Sequence, residues 1–381
     1  MKKEKLMWLG KYLDQNLVKE ASNKSDEVVE LLISYINLNL NNLDINIIKK
    51  IIRSDSLEKS KLIAKLSLDN DFMMSSDRSY DEKMFLLEKI KNAKSDLNAK
   101  YIANIISNKS INKKRTFSEQ IKFIDETDSL CDEANIRVIY NLMKDSNLID
   151  KRTFSEQFEL IDFIKYADTD LKKEYMQKIC LSMSVLKKYS SKQQLELLSK
   201  VFQAPTDIKI LHTSNYINLI LDKRTFEEQL AVLDKILSSK TDQISGYVGY
   251  VASNPLLLNN LDSKNHNKIL DKINNAEDDE KALCMTLYVL NKHKIDKDDI
   301  QNQLEIMNHI NSLNSNIKVD YLKKLVCKGN IFNSGDYQKQ STIIKMISVS
   351  DDYEILNHLT NWIEKYNNSY SKPKQKIKGG I

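Results

Sequence analysis

The chain has 381 residues, 41% of them apolar and 29% charged, with a net charge of +5 at neutral pH. This is the composition of a folded core under a mixed surface, and so slight a surplus of cations argues against a general nucleic-acid or membrane binder. No stretch approaches the roughly 18 apolar residues of a membrane-spanning helix.

Seven Gly and three Pro are too few to turn a strand-rich chain, while Leu, Ile, Lys, Glu and Gln abound. An almost wholly helical protein is expected. The opening MKKEKLMWLGKYLDQN is basic but lacks the apolar stretch of a secretory signal. Cys131, Cys180, Cys284 and Cys327 lie far apart with no Cys or His neighbours in metal-ligand spacing. They read as reduced core thiols of a cytoplasmic protein with no metal and no cofactor. Delivery into a host by a non-Sec route is compatible with the same sequence.

In chain order, the first predicted helix carries Trp8 and the apolar pair Leu9 and Tyr12. A second unit starts near residue 40 and carries Ile48 and Ile51. From there a stronger signal recurs about every 37 residues. Ser79, Thr116, Thr153, Ser190, Thr225, Asp262, Asp299 and Asp336 are all residues that cap helix N-termini. In the first five, Glu82, Glu119, Glu156, Gln193 and Glu228 stand three places on and complete a capping box. Eight places after each cap comes an apolar residue: Leu87, Ile124, Ile161, Leu198, Leu233, Leu270, Met307, Ile344. Three further on come Ile90, Thr127, Ile164, Val201, Ile236, Ile273, Ile310 and Ile347, so each pair shares one helix face.

Each cap-led helix is followed by a polar break and a second apolar helix, expected over 98–107, 133–143, 173–183, 214–221, 243–253, 281–290 and 318–326. The predicted unit is therefore helix, turn, helix, turn. One hairpin cannot bury both its apolar faces, whereas stacked hairpins can.

In period and helix pairing the chain resembles the α-solenoid class that holds tetratricopeptide, HEAT and armadillo repeats, without the signature residues of any named family. The expected fold is all-α: a right-handed α-solenoid of about ten helix-turn-helix repeats. It occupies 1–366, with repeat starts near 40, 79, 116, 153, 190, 225, 262, 299 and 336. Trp8 and Trp362 close its ends, and 367–381 form a disordered basic tail.

Three caps sit inside a repeated heptapeptide, KRTFSEQ at 114–120 and 151–157 and KRTFEEQ at 223–229. Capping explains the Thr and Glu but not the basic pairs Lys114-Arg115, Lys151-Arg152 and Lys223-Arg224. Two readings stay open: solvated loop charges left by duplication, or a basic edge that holds phosphate or carboxylate groups. Gly246 and Gly249, one turn apart in a predicted helix, call for a close approach by a neighbouring hairpin or by a ligand. Leu256-Leu257-Leu258 after them either offer a contact or fold back onto the core. Tyr101, Tyr175, Tyr247 and Tyr321 recur in step with the repeat and read as core.

No phosphate-binding loop, metalloprotease helix or nucleophile elbow appears. The expected function is a non-enzymatic scaffold that binds a protein partner on an extended surface, a role that suits a regulatory or microbial-effector protein. The alternative is nucleic-acid binding along the Lys-Arg edge.

Overall fold

Most helix starts among the described residues are set by side-chain caps. In the computed structural model, Ser79, Thr116, Thr153 and Thr225 adopt extended backbone angles and accept the amide three residues on. In each case the Glu reaches back to the cap's own amide. Ser190 and Gln193 make the same reciprocal pair at 3.1 and 3.2 Å. Asp262 and Asp336 cap without the return bond, because Asn265 and Lys339 replace the Glu. The model describes residues 2–219, 224–291, 300–328, 332, 336–351, 353, 357, 360–361 and 365. Asp299, Trp362 and the 367–381 tail lie outside them.

All secondary structure among the described residues is α-helical, in a repeat-like order. The order is α1 (Lys2–Leu9), α2 (Gln15–Ser22), α3 (Asp26–Leu38), α4 (Ile45–Arg53), α5 (Leu57–Ser67), α6 (Asn70–Met73), α7 (Tyr80–Lys91), α8 (Asp96–Ile106), α9 (Lys109–Lys114), α10 (Phe117–Ser129), α11 (Glu133–Lys144), α12 (Ser146–Lys151), α13 (Phe154–Lys165), α14 (Asp170–Leu181), α15 (Met183–Lys188) and α16 (Ser191–Gln203). Then follow α17 (Asp207–Asn218), α18 (Phe226–Ser238), α19 (Asp242–Ala252), α20 (Pro255–Asn260), α21 (Ser263–Asn274), α22 (Asp279–Leu290), α23 (Ile300–Asn311), α24 (Asn316–Lys328) and α25 (Tyr337–Val349). The contacts divide the chain into two compact units, Met1–Leu195 and Glu196–Ile381.

The expected two-helix hairpin is incomplete. After each pair of long helices from α4 to α15, and again after α19, a third helix of only four to six residues fills the expected break. Each is one turn or so, too short to show a periodicity, so its signal in sequence is only its cap. Asp69, Asn108, Asp145 and Asn254 accept amides there, and Pro255 occupies the first helical position of α20, where no amide partner is needed. Within α20 Leu257 and Leu258 are buried and Leu256 is exposed, so two of the three leucines fold onto the core.

All the apolar pairs from Ile48–Ile51 to Ile344–Ile347 are buried, including Thr127, whose hydroxyl donates to Phe123 O one turn back at 2.9 Å. Each buried aliphatic residue contributes about 1.5–3 kcal/mol. The first pair does not share a helix. Leu9 is buried, but α1 ends there at Gly10, and Tyr12 lies half-exposed in the turn with its ring 4.7 Å from that of Trp8. The four repeating tyrosines are half-buried rather than core. Cys180 and Cys284 are buried with burial raising their thiol pKa, that of Cys284 to about 12, whereas Cys131 and Cys327 are exposed.

Candidate binding surface

The heptapeptide is a coupling element between successive triplets of helices. Arg115 and Arg152 are 8% exposed and Arg224 is 6% exposed, so they do not line an accessible edge. Arg78 donates through Nη2 to Arg115 O at 2.8 Å, Arg115 to Arg152 O at 3.1 Å, and Arg152 to Tyr189 O at 2.7 Å. Each guanidinium also donates to a glutamine 42 residues on: Gln120 at 3.2 Å, Gln157 at 2.7 Å and Gln194 at 3.2 Å. Those glutamines sit four places after the caps. Their amide nitrogens turn back to hold carbonyls of the preceding second helix, as Gln157 does with Leu142 O at 2.7 Å.

A buried arginine thus satisfies a carbonyl in the next triplet and a glutamine already bonded to its own. The planar guanidinium fork suits this bridging task. Burial lowers the pKa of Arg115 and Arg152 without approaching neutrality. The rest of the heptapeptide packs across the same joint. Lys114 pairs with Asp150, and the Phe154 ring packs tilted against Phe123 at 5.1 Å between centroids. Lys151 is exposed, and Lys223 lies outside the described residues.

Arg224 makes a variant of the joint. His266 stands where the other joints carry glutamine. Arg224 Nη2 donates to His266 Nδ1, and His266 Nε2–H donates to Val251 O at 3.1 Å. The bond accepted at Nδ1 requires the neutral ring, because an arginine can only donate. Burial, with the Arg224 charge beside it, pushes the His266 pKa down from 6.5 to about 4.

A second set of ties was legible only as caps followed by a basic residue. Lys59 sits three places after the cap of α5 and donates to Ala93 O at 2.5 Å, just past the end of α7. Lys209 of α17 holds Leu237 O and Ser239 O at the end of α18, and Lys318 of α24 holds Ser348 O in α25. A cation at a helix C-terminus satisfies orphan carbonyls and complements the helix dipole.

The two outer helix layers differ. On the first helices, cations reach across to the next first helix: Lys50 to Glu88 at 2.5 Å, Lys89 to Asp125 at 2.6 Å, Lys200 to Asp234 at 2.5 Å, and Lys235 to Asp271. On the second helices this cross-linking is sparse. In the first unit their outward positions carry Lys61, Lys65, Lys100 and Arg137, exposed and with no ion-pair partner among the described residues. A cavity of about 600 Å³ opens between α11 and α14, lined by Arg137, Lys173, Glu174, Gln177 and Lys178 among others.

In the second unit the second helices α17 and α19 carry exposed apolar residues. Ile208 (48% exposed) and Leu211 (37%) lie on α17 and Tyr250 (63%) on α19, and these two helices pack together. Gly246 explains how closely. A Cβ there would stand 2.9 Å from His212 Nε2, so the glycine admits the His212 ring against α19. The close approach required by Gly246 is therefore that of a neighbouring second helix.

No group of His, Cys, Asp and Glu among the described residues is arranged to hold a metal ion, and no described helix is long and apolar enough to cross a membrane. No family model and no curated protein sequence matches this chain.

Proposed function

We propose that the chain is a non-enzymatic binding scaffold. It is a right-handed α-solenoid of about ten units of about 37 residues, which holds a protein partner on the outer face of its second helices. The observation that carries this reading is the run of exposed Ile208, Leu211 and Tyr250 on packed neighbours α17 and α19. Exposed apolar groups scattered singly are ordinary, but a cluster across adjacent helices is characteristic of a contact surface. The recurring caps and arginine ties support the repeat architecture, because a surface built from copies must be held in register.

Nucleic-acid binding along the Lys-Arg edge is the weaker reading. Three of its six cations are arginines engaged inside the joints, and Lys114 is paired with Asp150.

The test is cross-linking and purification of the tagged chain from its own cells. The double variant Leu211→Asp/Tyr250→Asp is compared with Lys114→Glu/Lys151→Glu, all with matched thermal unfolding. A protein partner lost only from the first variant supports the scaffold reading. Recovery of nucleic acid, lost only from the second, contradicts it.

A further inference from the structure

We infer that the second-helix face of the first unit is a docking strip for an extended acidic peptide segment of a protein partner. This deepens the scaffold reading and rests on it.

Lys61, Lys100 and Arg137 occupy one register position, five residues after the caps Ser56, Ser95 and Asp132 of α5, α8 and α11. α5 packs on α8 and α8 on α11, so the three cations form a row across adjacent helices. Packed helices lie about 8–10 Å apart, close to the span of three residues of extended chain at about 3.3 Å each. A peptide crossing the row with a carboxylate at every third residue meets one cation per helix.

The absence of ion pairs on this row distinguishes it. Lys50 and Lys89, on first helices of the same unit, each find a carboxylate in the next triplet. Lys61, Lys100 and Arg137 are exposed and make no ion pair among the described residues. The row runs into the cavity between α11 and α14, whose far wall adds Lys173 and Lys178. Beside it the Tyr101 and Tyr140 rings meet edge-on at 5.2 Å and offer apolar flanks.

The acids on the same face select a peptide over a nucleic acid. Glu58, Asp96 and Glu133 sit in the first turns of their helices, where the dipole favours them. Asp170 and Glu174 lie at the cavity and face Lys173 and Lys178 at 3.8 and 2.9 Å. A continuous phosphate backbone would be repelled at each of them. A peptide presents carboxylates at intervals and backbone N–H groups between, and these can donate to the acids.

The experiment is fluorescence anisotropy on the full chain. The probe is a labelled peptide of about twelve residues with Glu at every third position, set against its Lys counterpart and an oligothymidylate of equal charge. The Glu peptide should bind in preference to both. Affinity should fall about tenfold or more in Lys100→Glu/Arg137→Glu and on raising salt from about 50 to 300 mM. Lys89→Glu, on the other layer, should bind as the parent chain does.

No preference for the Glu peptide, or no effect of the reversal at unchanged thermal unfolding, overturns the inference. Tighter binding of oligothymidylate with the same dependence on Lys100 and Arg137 overturns it in favour of nucleic acid. A cellular protein partner that still requires Leu211 and Tyr250 while the Glu peptide fails to bind removes this inference and leaves the scaffold reading standing.

Discussion

The joints and the second-helix face use the same residue types in opposite ways. In the joints Arg115 and Arg152 are buried and each is bonded to two groups of the next triplet, so its charge holds the helices in register. On the second-helix face of the first unit Lys61, Lys100 and Arg137 are exposed and have no ion-pair partner among the described residues. Net charge and basic pairs in a sequence therefore do not mark a binding edge by themselves. The cations open to a partner are those the repeat does not engage.

The comparison can be broken first at a joint. Arg152→Ala removes the guanidinium that donates to Tyr189 O and Gln194 Oε1 in a buried seam, and should cost about 3 kcal/mol or more in urea unfolding. A loss below about 0.5 kcal/mol, the ordinary cost of a surface change, would place the arginine's role elsewhere.

The histidine joint sharpens the comparison by pH. The folded-state pKa of His266 lies near 4, below its ordinary 6.5, so between these values the unfolded chain binds the extra proton. Stability is full above pH 6.5 and falls as pH drops toward 4, by on the order of 3 kcal/mol at most. His266→Gln restores the residue of the other joints. It should remove that part of the slope when unfolding is followed at pH 7 and pH 5, and an unchanged slope would refute the assignment.

Smaller effects separate the cap from the tie within one heptapeptide. Thr153→Ala removes a cap and should cost about 1 kcal/mol by thermal unfolding. Lys89→Ala breaks an exposed first-helix ion pair and should cost less than about 0.5 kcal/mol. Arg137→Ala should leave stability unchanged, because no partner is lost; a measurable loss would show that it belongs with the joints.

Local chemistry was legible in the sequence and long-range chemistry was not. A cap and its Glu are three residues apart and the apolar pairs are three apart, so Thr116 with Glu119 and Ile161 with Ile164 declare a helix by themselves. Arg115 meets its partners 37 and 42 residues away, and nothing near it in the chain shows a buried destination. A signal was nonetheless present. Gln120, Gln157, Gln194, Gln229 and Gln340 are buried at the fourth place after their caps, with His266 in the same series, and Gln303 is buried too. A polar residue recurring on the core face of a helix calls for a buried partner. The short third helices leave no periodic trace in the sequence because one turn carries no period. The Leu9–Tyr12 spacing fits one helix face, but the helix ends at Gly10 and leaves Tyr12 in the turn.

The most direct test of the coupling role is a double-mutant cycle on Arg115 and Gln157, with Ala at each site singly and together, followed by equilibrium unfolding of the full chain. Bonded across a buried joint at 2.7 Å, the two side chains should show a coupling energy of about 1–3 kcal/mol. Additive losses, with coupling near zero, would contradict the claim that the repeated heptapeptide holds neighbouring triplets together.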